Sequence, residues 1–200
     1  ASHSAFEIHA SKGYFRLENN EVYLNHDDGL HFSDAFLGGG LIREDAQTLI
    51  ADKLQHYATK HLIAKGDTLV LHRRDFSPVG WSSTITGFEW EMLYYDKEPR
   101  NRCRISFRDP LPRDLPADAM LFNPRFGVGQ YVIRNNTFRN GLTHGLYVCQ
   151  PNGLIEGNTI QRTAYPGLML HQLIRWKRWF MGTNPGNVII RNNTIDGCNT

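Results

Sequence analysis

The chain has 200 residues, with 22 Lys+Arg against 20 Asp+Glu for a net charge of +2, and 12% aromatic and 21% charged residues. That length allows one ordinary domain or one domain carrying a smaller insert, and the near-neutral balance offers no basic face to a nucleic acid. No apolar run reaches the roughly 18 residues of a membrane-spanning helix, so neither nucleic acid nor membrane is expected as a partner.

The 18 Gly residues and many Asn residues indicate a turn-rich β protein rather than a helical one. Cys103, Cys149 and Cys198 are widely spaced and odd in number, which fits neither a zinc motif nor a disulfide framework. No cofactor or metal is implied by these residues, and they leave the compartment undetermined.

Residues 3–34 hold two copies of a repeat. Ser4-Ala5-Phe6-Glu7-Ile8 matches Asp28-Gly29-Leu30-His31-Phe32 at an offset of 24, and Gly13–Asn20 resembles Gln130–Asn136. In three copies a Gly lies nine positions after the second residue of an Asn-containing pair: Asn20 to Gly29, Asn136 to Gly145 and Asn158 to Gly167. Short strands between Asn and Gly turns, with a period in the low twenties, predict a right-handed parallel β-helix, or solenoid. In it Phe6, Leu30, Leu146 and Leu168 form one apolar column, and Ile8, Phe32, Val148 and Leu170 form a second. Asn20, Asn136, Asn158 and Asn193 stack as an amide ladder inside the turn.

Asn20 to Asn136 spans 116 residues against 22 from Asn136 to Asn158, so roughly 94 residues are inserted. The predicted division is 1–35 as the first part of the solenoid, 36–127 as the insert and 128–200 as the second part. Thr68–His72, Ser83–Thr86, Glu89–Tyr95 and Arg104–Phe107 alternate or carry aromatics, and Pro110, Pro112 and Pro116 punctuate the exit. The insert therefore reads as a small antiparallel β barrel or sandwich, with Arg43–Tyr57 readable as a helix or an exposed strand. A loop around Trp176-Lys177-Arg178-Trp179-Phe180 interrupts the later repeats. The pattern is already under way at Ser4 and breaks off within a copy at Thr200, which predicts a piece of a longer solenoid. Additional rungs would come from the rest of the gene product or from a partner chain.

Chemistry points to Asp27-Asp28. The other copies hold Thr143-His144 and Tyr165-Pro166 at these places, so the repeat itself does not require the acids. Adjacent carboxyls repel, which raises one pKa, and a protonated acid beside an ionised one is what glycoside cleavage uses. A solvated Asp-Asp-Gly turn is the competing reading. By strand alternation Glu7, His31, Tyr147 and Met169 share the outward face, and His144 stacks on Asp28. Glu7, His31, His144 and Tyr147 are candidate substrate-binding residues, joined by Trp176 and Trp179, whose indole faces suit sugar rings. Asp27, Asp28, His31 and His144 also allow a metal-binding reading, although no local motif supports it.

The layout of Asp27-Asp28-Gly29-Leu30-His31, a β domain inserted after that strand, and the return through Val132–Phe138, Leu154–Ile160 and Val188–Asn193 resembles one known family. These are the right-handed parallel β-helix glycoside hydrolases that include α-1,3-galactosidases able to remove blood-group-B-type galactose. The resemblance covers nearly the whole chain. It implies an exo-acting, inverting hydrolase with Asp27 and Asp28 as catalytic acid and base, a carbohydrate substrate, and a secreted or periplasmic location. The chain departs from the family at Ser4, where a third Asp is expected, and at His144, where an Arg is usual. Alternatives kept open are a polysaccharide lyase or epimerase on the same scaffold, for which Arg125, Arg175 and Arg178 offer charge, and a non-catalytic glycan-binding protein.

Overall fold

The computed structural model describes residues 3–33, 37–54, 60–95, 98–175, 179–182 and 185–199. It is all-β. Among the described residues the one helical segment is the 3-10 turn Lys60–Leu62. The chain divides into two units, one comprising residues 1–34, 127–172 and 182–200, the other residues 35–126 and 173–181.

The first unit contains three parallel sheets of four strands each. One aligns Phe6–His9, Leu30–Ser33, Leu146–Val148 and Leu168–Leu170. The second aligns Lys12–Glu18, Gly127–Arg134, Gly153–Glu156 and Val188–Arg191. The third aligns Glu21–Tyr23, Thr137–Arg139, Thr159–Gln161 and Thr194–Asp196.

In the first sheet Phe6 pairs with Leu30, Leu30 with Leu146, and Leu146 with Leu168; Ile8, Phe32, Val148 and Leu170 run parallel to them. Period-two alternation sends both columns to one side. There they meet Leu17, Tyr131, Ile133, Phe138, Ile155 and Ile160 from the other two sheets in a single apolar core. Each strand is only three to eight residues long, so no strand is stable by itself and the shared core holds them together.

The corners between sheets are made by two kinds of residue. The first member of the Asn pair takes a left-handed conformation: Asn19, Asn135 and Asn192 have φ of 58, 54 and 55°, and Gly157, in the same place, has 64°. Asn and Gly reach this region at the least steric cost. The second member turns inward. Asn136 Nδ2 donates to Asn158 Oδ1 at 2.9 Å, Asn158 Nδ2 to Asn193 Oδ1 at 2.9 Å, and Asn20 Nδ2 to Asn136 Oδ1 at 3.0 Å. The same amides also donate to backbone carbonyls: Asn136 to Leu17, Asn158 to Ile133 and Asn193 to Ile155. The ladder thus satisfies main-chain groups that the turns leave open.

The second unit is a closed antiparallel barrel of six strands. Gly38–Arg43 pairs with Thr48–Leu54, which pairs with Glu98–Phe107. That strand pairs with Pro78–Tyr95, and Thr68–His72 pairs with Pro78–Tyr95 on its other side. Met120–Phe122 joins Thr68–His72 to Gly38–Arg43 and closes the ring, which removes the exposed sheet edges. Leu49, Ala51, Leu69, Leu71, Ile85, Cys103, Ile105 and Leu121 are buried in this unit.

This architecture corrects the expected fold class. In place of the expected right-handed parallel β-helix solenoid carrying an inserted small antiparallel β domain, the chain forms three small parallel sheets and a closed six-stranded antiparallel barrel. The alternating sequence between the copies pairs antiparallel and closes on itself. Thr48–Leu54 is a strand, not a helix. Its Leu49 and Ala51 are buried while Ile50 is half-buried, an alternation that outweighs the loose helical spacing read from Leu49, Ile50 and Leu54.

Candidate functional site

The outward side of the first parallel sheet carries a strip of ionisable and aromatic side chains. Glu7 pairs with His31 and His31 with Tyr147, so these three align across neighbouring strands, with Met169 opposite Tyr147. The rings touch in sequence. His31 and Tyr147 lie 5.0 Å apart edge to face, His144 and Tyr147 5.1 Å apart, and His144 and Tyr165 5.4 Å apart. His171 stands 6.3 Å from Tyr147. Tyr147 is itself 7% exposed, so its ring mainly orders the histidines around it, whereas Tyr165 is 54% exposed and offers a face to solvent.

Asp28 sits at the entrance to the Leu30–Ser33 strand. Gly29 N–H and Leu30 N–H donate to the carbonyls of His144 and Gly145, which sets the turn against its neighbour. The Asp28 carboxyl is buried, at 6% exposure. Its Oδ1 accepts from Thr143 Oγ1 at 2.8 Å, His144 Nδ1 at 2.9 Å and His144 N–H at 3.2 Å. Its Oδ2 faces His31 Nδ1 at 3.8 Å. Burial pushes the Asp28 carboxyl up, but the hydrogen bonds from His144 and Thr143 hold it below the usual range. It is therefore ionised, and His144 Nδ1 must carry the proton it shares.

Asp27 is half-buried on the same turn, with its carbonyl held by the side-chain amide of Asn25. Its carboxyl is pushed up, first by burial and then by the charge of Asp28. Two adjacent carboxyls thus have pKa values moved in opposite directions, Asp27 toward the acid and Asp28 toward the carboxylate.

His31 is shifted down to about 4, chiefly by burial and next by the proximity of His9. A histidine with a depressed folded pKa stays neutral while the unfolded chain takes up a proton near pH 6.5. Its contribution to stability is complete above pH 6.5 and is lost as pH falls toward 4, by at most about 1.4 kcal/mol per pH unit. Urea unfolding midpoints should therefore drop from pH 7.5 to pH 5, and His31→Gln should flatten that part of the profile. An unchanged slope in the variant would assign the drop to other groups.

Toward the strand's end, His9 Nε2 bonds Glu7 Oε1 at 2.7 Å and His9 Nδ1 bonds Ser33 Oγ at 2.8 Å. Glu7–His9–Ser33 has the connectivity of an acid–base–nucleophile relay. Ser33 is fully buried, however, so no acyl carbon can approach its oxygen, and the contact serves to orient His9.

The structure brings together Asp27, Asp28, His31, His144, Tyr147 and Glu7 along this strip. Trp176 lies outside the described residues. Trp179 is a strand residue of the hairpin Leu173–Arg175/Trp179–Met181, which groups with the barrel unit. Sequence reasoning passed over Thr143, His9 and Tyr165. Thr143 occupies the place of Asp27 in the next copy, and His9 is two residues from Glu7 on the same face, so both were within reach of the repeat alignment. Ser4, which aligns with Asp28 in the repeat, has a buried hydroxyl with no partner among the described residues. No protein-family model and no curated protein sequence matches the chain.

Proposed function

We propose that the chain is a carbohydrate-active enzyme, a glycoside hydrolase of inverting type, with Asp27 as general acid and Asp28 as the carboxylate that activates water. The observation that supports this reading best is the opposite displacement of two adjacent carboxyl pKa values on one turn. Asp27 keeps its proton to a higher pH and is the more accessible group, as an acid that reaches a glycosidic oxygen must be. Asp28 is ionised and fixed at Oδ1 by three donors, leaving Oδ2 as the acceptor for a water proton. Thr143 and His144 hold that geometry, and the exposed Tyr165 ring supplies an aromatic face beside it. The resemblance carried by Asp27-Asp28-Gly29-Leu30-His31 points to the same pair.

The roles separate by leaving group and by pH. Asp27→Asn should lose about 10²–10⁴-fold on alkyl glycosides, the usual contribution of a positioned acid, and much less on dinitrophenyl glycosides, whose leaving group needs no proton. Wild-type activity should fall at low pH as Asp28 protonates and again as pH rises through the raised pKa of Asp27. The second limb should vanish in Asp27→Asn. Equal losses on both leaving groups would remove Asp27 from the role of acid.

A further inference from the structure

A second cluster on the same sheet is not used by the acid–base pair. Glu7, His9 and His31 each offer a ligand atom, and these atoms all lie within 4.8 Å of one another. Strand geometry brings them there. Glu7 and His9 are two residues apart on one strand, hence on one face, and His31 is the register partner of Glu7 on the next. The His9 and His31 rings meet edge to face at 4.8 Å.

We propose that Glu7, His9 and His31 form a binding site for a borderline divalent cation of the zinc class. Two imidazole nitrogens and one carboxylate oxygen are a ligand set that Zn²⁺ takes in three-ligand sites, with water at the fourth position. Each histidine already has the outer support such ligands require. His9 Nδ1 is held by Ser33 Oγ, so Nε2 is the atom aimed at Glu7. His31 Nδ1 faces the Asp28 carboxylate at 3.8 Å, while His31 Nε2 is buried and has no hydrogen-bond partner among the described residues. A buried ring nitrogen with nothing to bond is costly unless something fills the place, and a cation between Nε2, His9 and Glu7 fills it.

Tetrahedral bonds of about 2.0–2.2 Å place ligand atoms about 3.3 Å apart. The 2.7 Å Glu7–His9 contact opens slightly to reach this spacing and the His31 side closes, which side-chain rotation supplies. Binding replaces the proton now shared by Glu7 and His9, so one proton is released when His9 carries it. A groove of about 370 Å³ lined by Glu7, His9, Ser11, Lys12 and Tyr14 gives ions a route in. His3 Nδ1, 3.8 Å from Glu7 Oε2, stands by as a fourth donor. A cation here joins the strands Phe6–His9 and Leu30–Ser33 at the edge of the sheet.

The untagged chain, stripped with chelator, is titrated calorimetrically with Zn²⁺, and separately with Mg²⁺ and Ca²⁺. The proposal predicts one Zn²⁺ per chain, no comparable binding of Mg²⁺ or Ca²⁺, and a rise in melting temperature with Zn²⁺ concentration. Glu7→Gln, a conservative change, and His31→Ala should each weaken Zn²⁺ binding by tenfold or more; His26→Ala, at an exposed histidine, should not. Cobalt absorption reports the same ligands independently and should be lost in Glu7→Gln while circular dichroism stays that of the folded chain. Absence of stoichiometric Zn²⁺ binding, or equal affinity in wild type and folded Glu7→Gln, would overturn it. Because the readout is binding, it stands or falls separately from the hydrolase reading.

Discussion

Asp28→Asn is expected to abolish glycoside turnover and to destabilise the first unit by about 2–4 kcal/mol. The carboxylate accepts from Thr143 Oγ1, His144 Nδ1 and His144 N–H, all on one oxygen, and is 6% exposed. An amide in its place keeps one acceptor but loses the charge, and its N–H₂ group points either at the donors of His144 or at His31 Nδ1, 3.8 Å away and beyond hydrogen-bond reach. The stabilising part of that charge has a definite pH window. Because its folded pKa is depressed, the contribution is present above the unfolded value of about 3.9 and disappears as pH falls through the folded one. Asp27→Asn is the contrast. It removes a charge that its own burial and Asp28 disfavour, so stability should stay level or rise by up to about 1 kcal/mol while activity falls. Denaturant melts at pH 7 and pH 3 on both variants check this. A stability loss in Asp28→Asn equal to that in Asp27→Asn would mean the three donors do not hold the carboxylate as described.

Asn158→Ala should have the largest effect on stability, about 3–5 kcal/mol, with little direct effect on the site. Asn158 is fully buried in the middle of the ladder. Its Oδ1 accepts from both N–H and Nδ2 of Asn136, and its Nδ2 donates to the Ile133 carbonyl and to Asn193 Oδ1. Removing the amide leaves the buried Asn136 N–H without its acceptor and takes one donor from the Ile133 carbonyl, on top of the lost volume. Asn193, half-buried at the ladder's end, should cost about 1–2 kcal/mol when changed to Ala, because water can reach the groups it leaves. Urea midpoints for the two variants, at equal m, give the comparison; equal losses would show that the ladder is not a cooperative buried element.

The ladder also shows what could be read from the chain alone. A repeat that places an Asn at a fixed distance before a Gly defines register, because period-two pairing excludes the one-residue slips that would turn Leu30 and Phe32 outward and the matched Asn and Gly positions select among the rest. The pairings Phe6–Leu30–Leu146–Leu168 and Asn136–Asn158–Asn193 follow from that spacing. Continuation into a solenoid did not follow. The same short alternating strands satisfy three small parallel sheets, and no local feature of residues 38–122 distinguishes a barrel that closes through Leu121 and Leu71 from an open sheet. Closure is a property of register between distant strands, which hydrophobic alternation does not encode.

The site was legible to a similar depth. Asp27-Asp28 stood out because sister copies lack it, and stacking placed His144 beside Asp28. What escaped was the partner chemistry: that Thr143 turns its hydroxyl to Asp28, and that His9 reaches between Glu7 and Ser33. Those contacts depend on rotamers chosen in a crowded strip, where Tyr147 packs between His31 and His144. The residues that flank the Trp176–Trp179 loop pair as a hairpin that groups with the barrel unit, a pairing that the loop's aromatic and basic composition does not announce.

The acid–base assignment is tested most directly by measuring hydrolysis of a panel of nitrophenyl glycosides by wild type, Asp27→Asn and Asp28→Asn, with the first-formed anomer of the released sugar followed by proton NMR. The account predicts turnover by wild type with inversion at the anomeric carbon, loss of turnover in Asp28→Asn, and turnover in Asp27→Asn that survives only with the most acidic leaving groups. Wild-type rates in both folded variants, or glycan binding by the wild-type chain with no hydrolysis of any substrate, would contradict it.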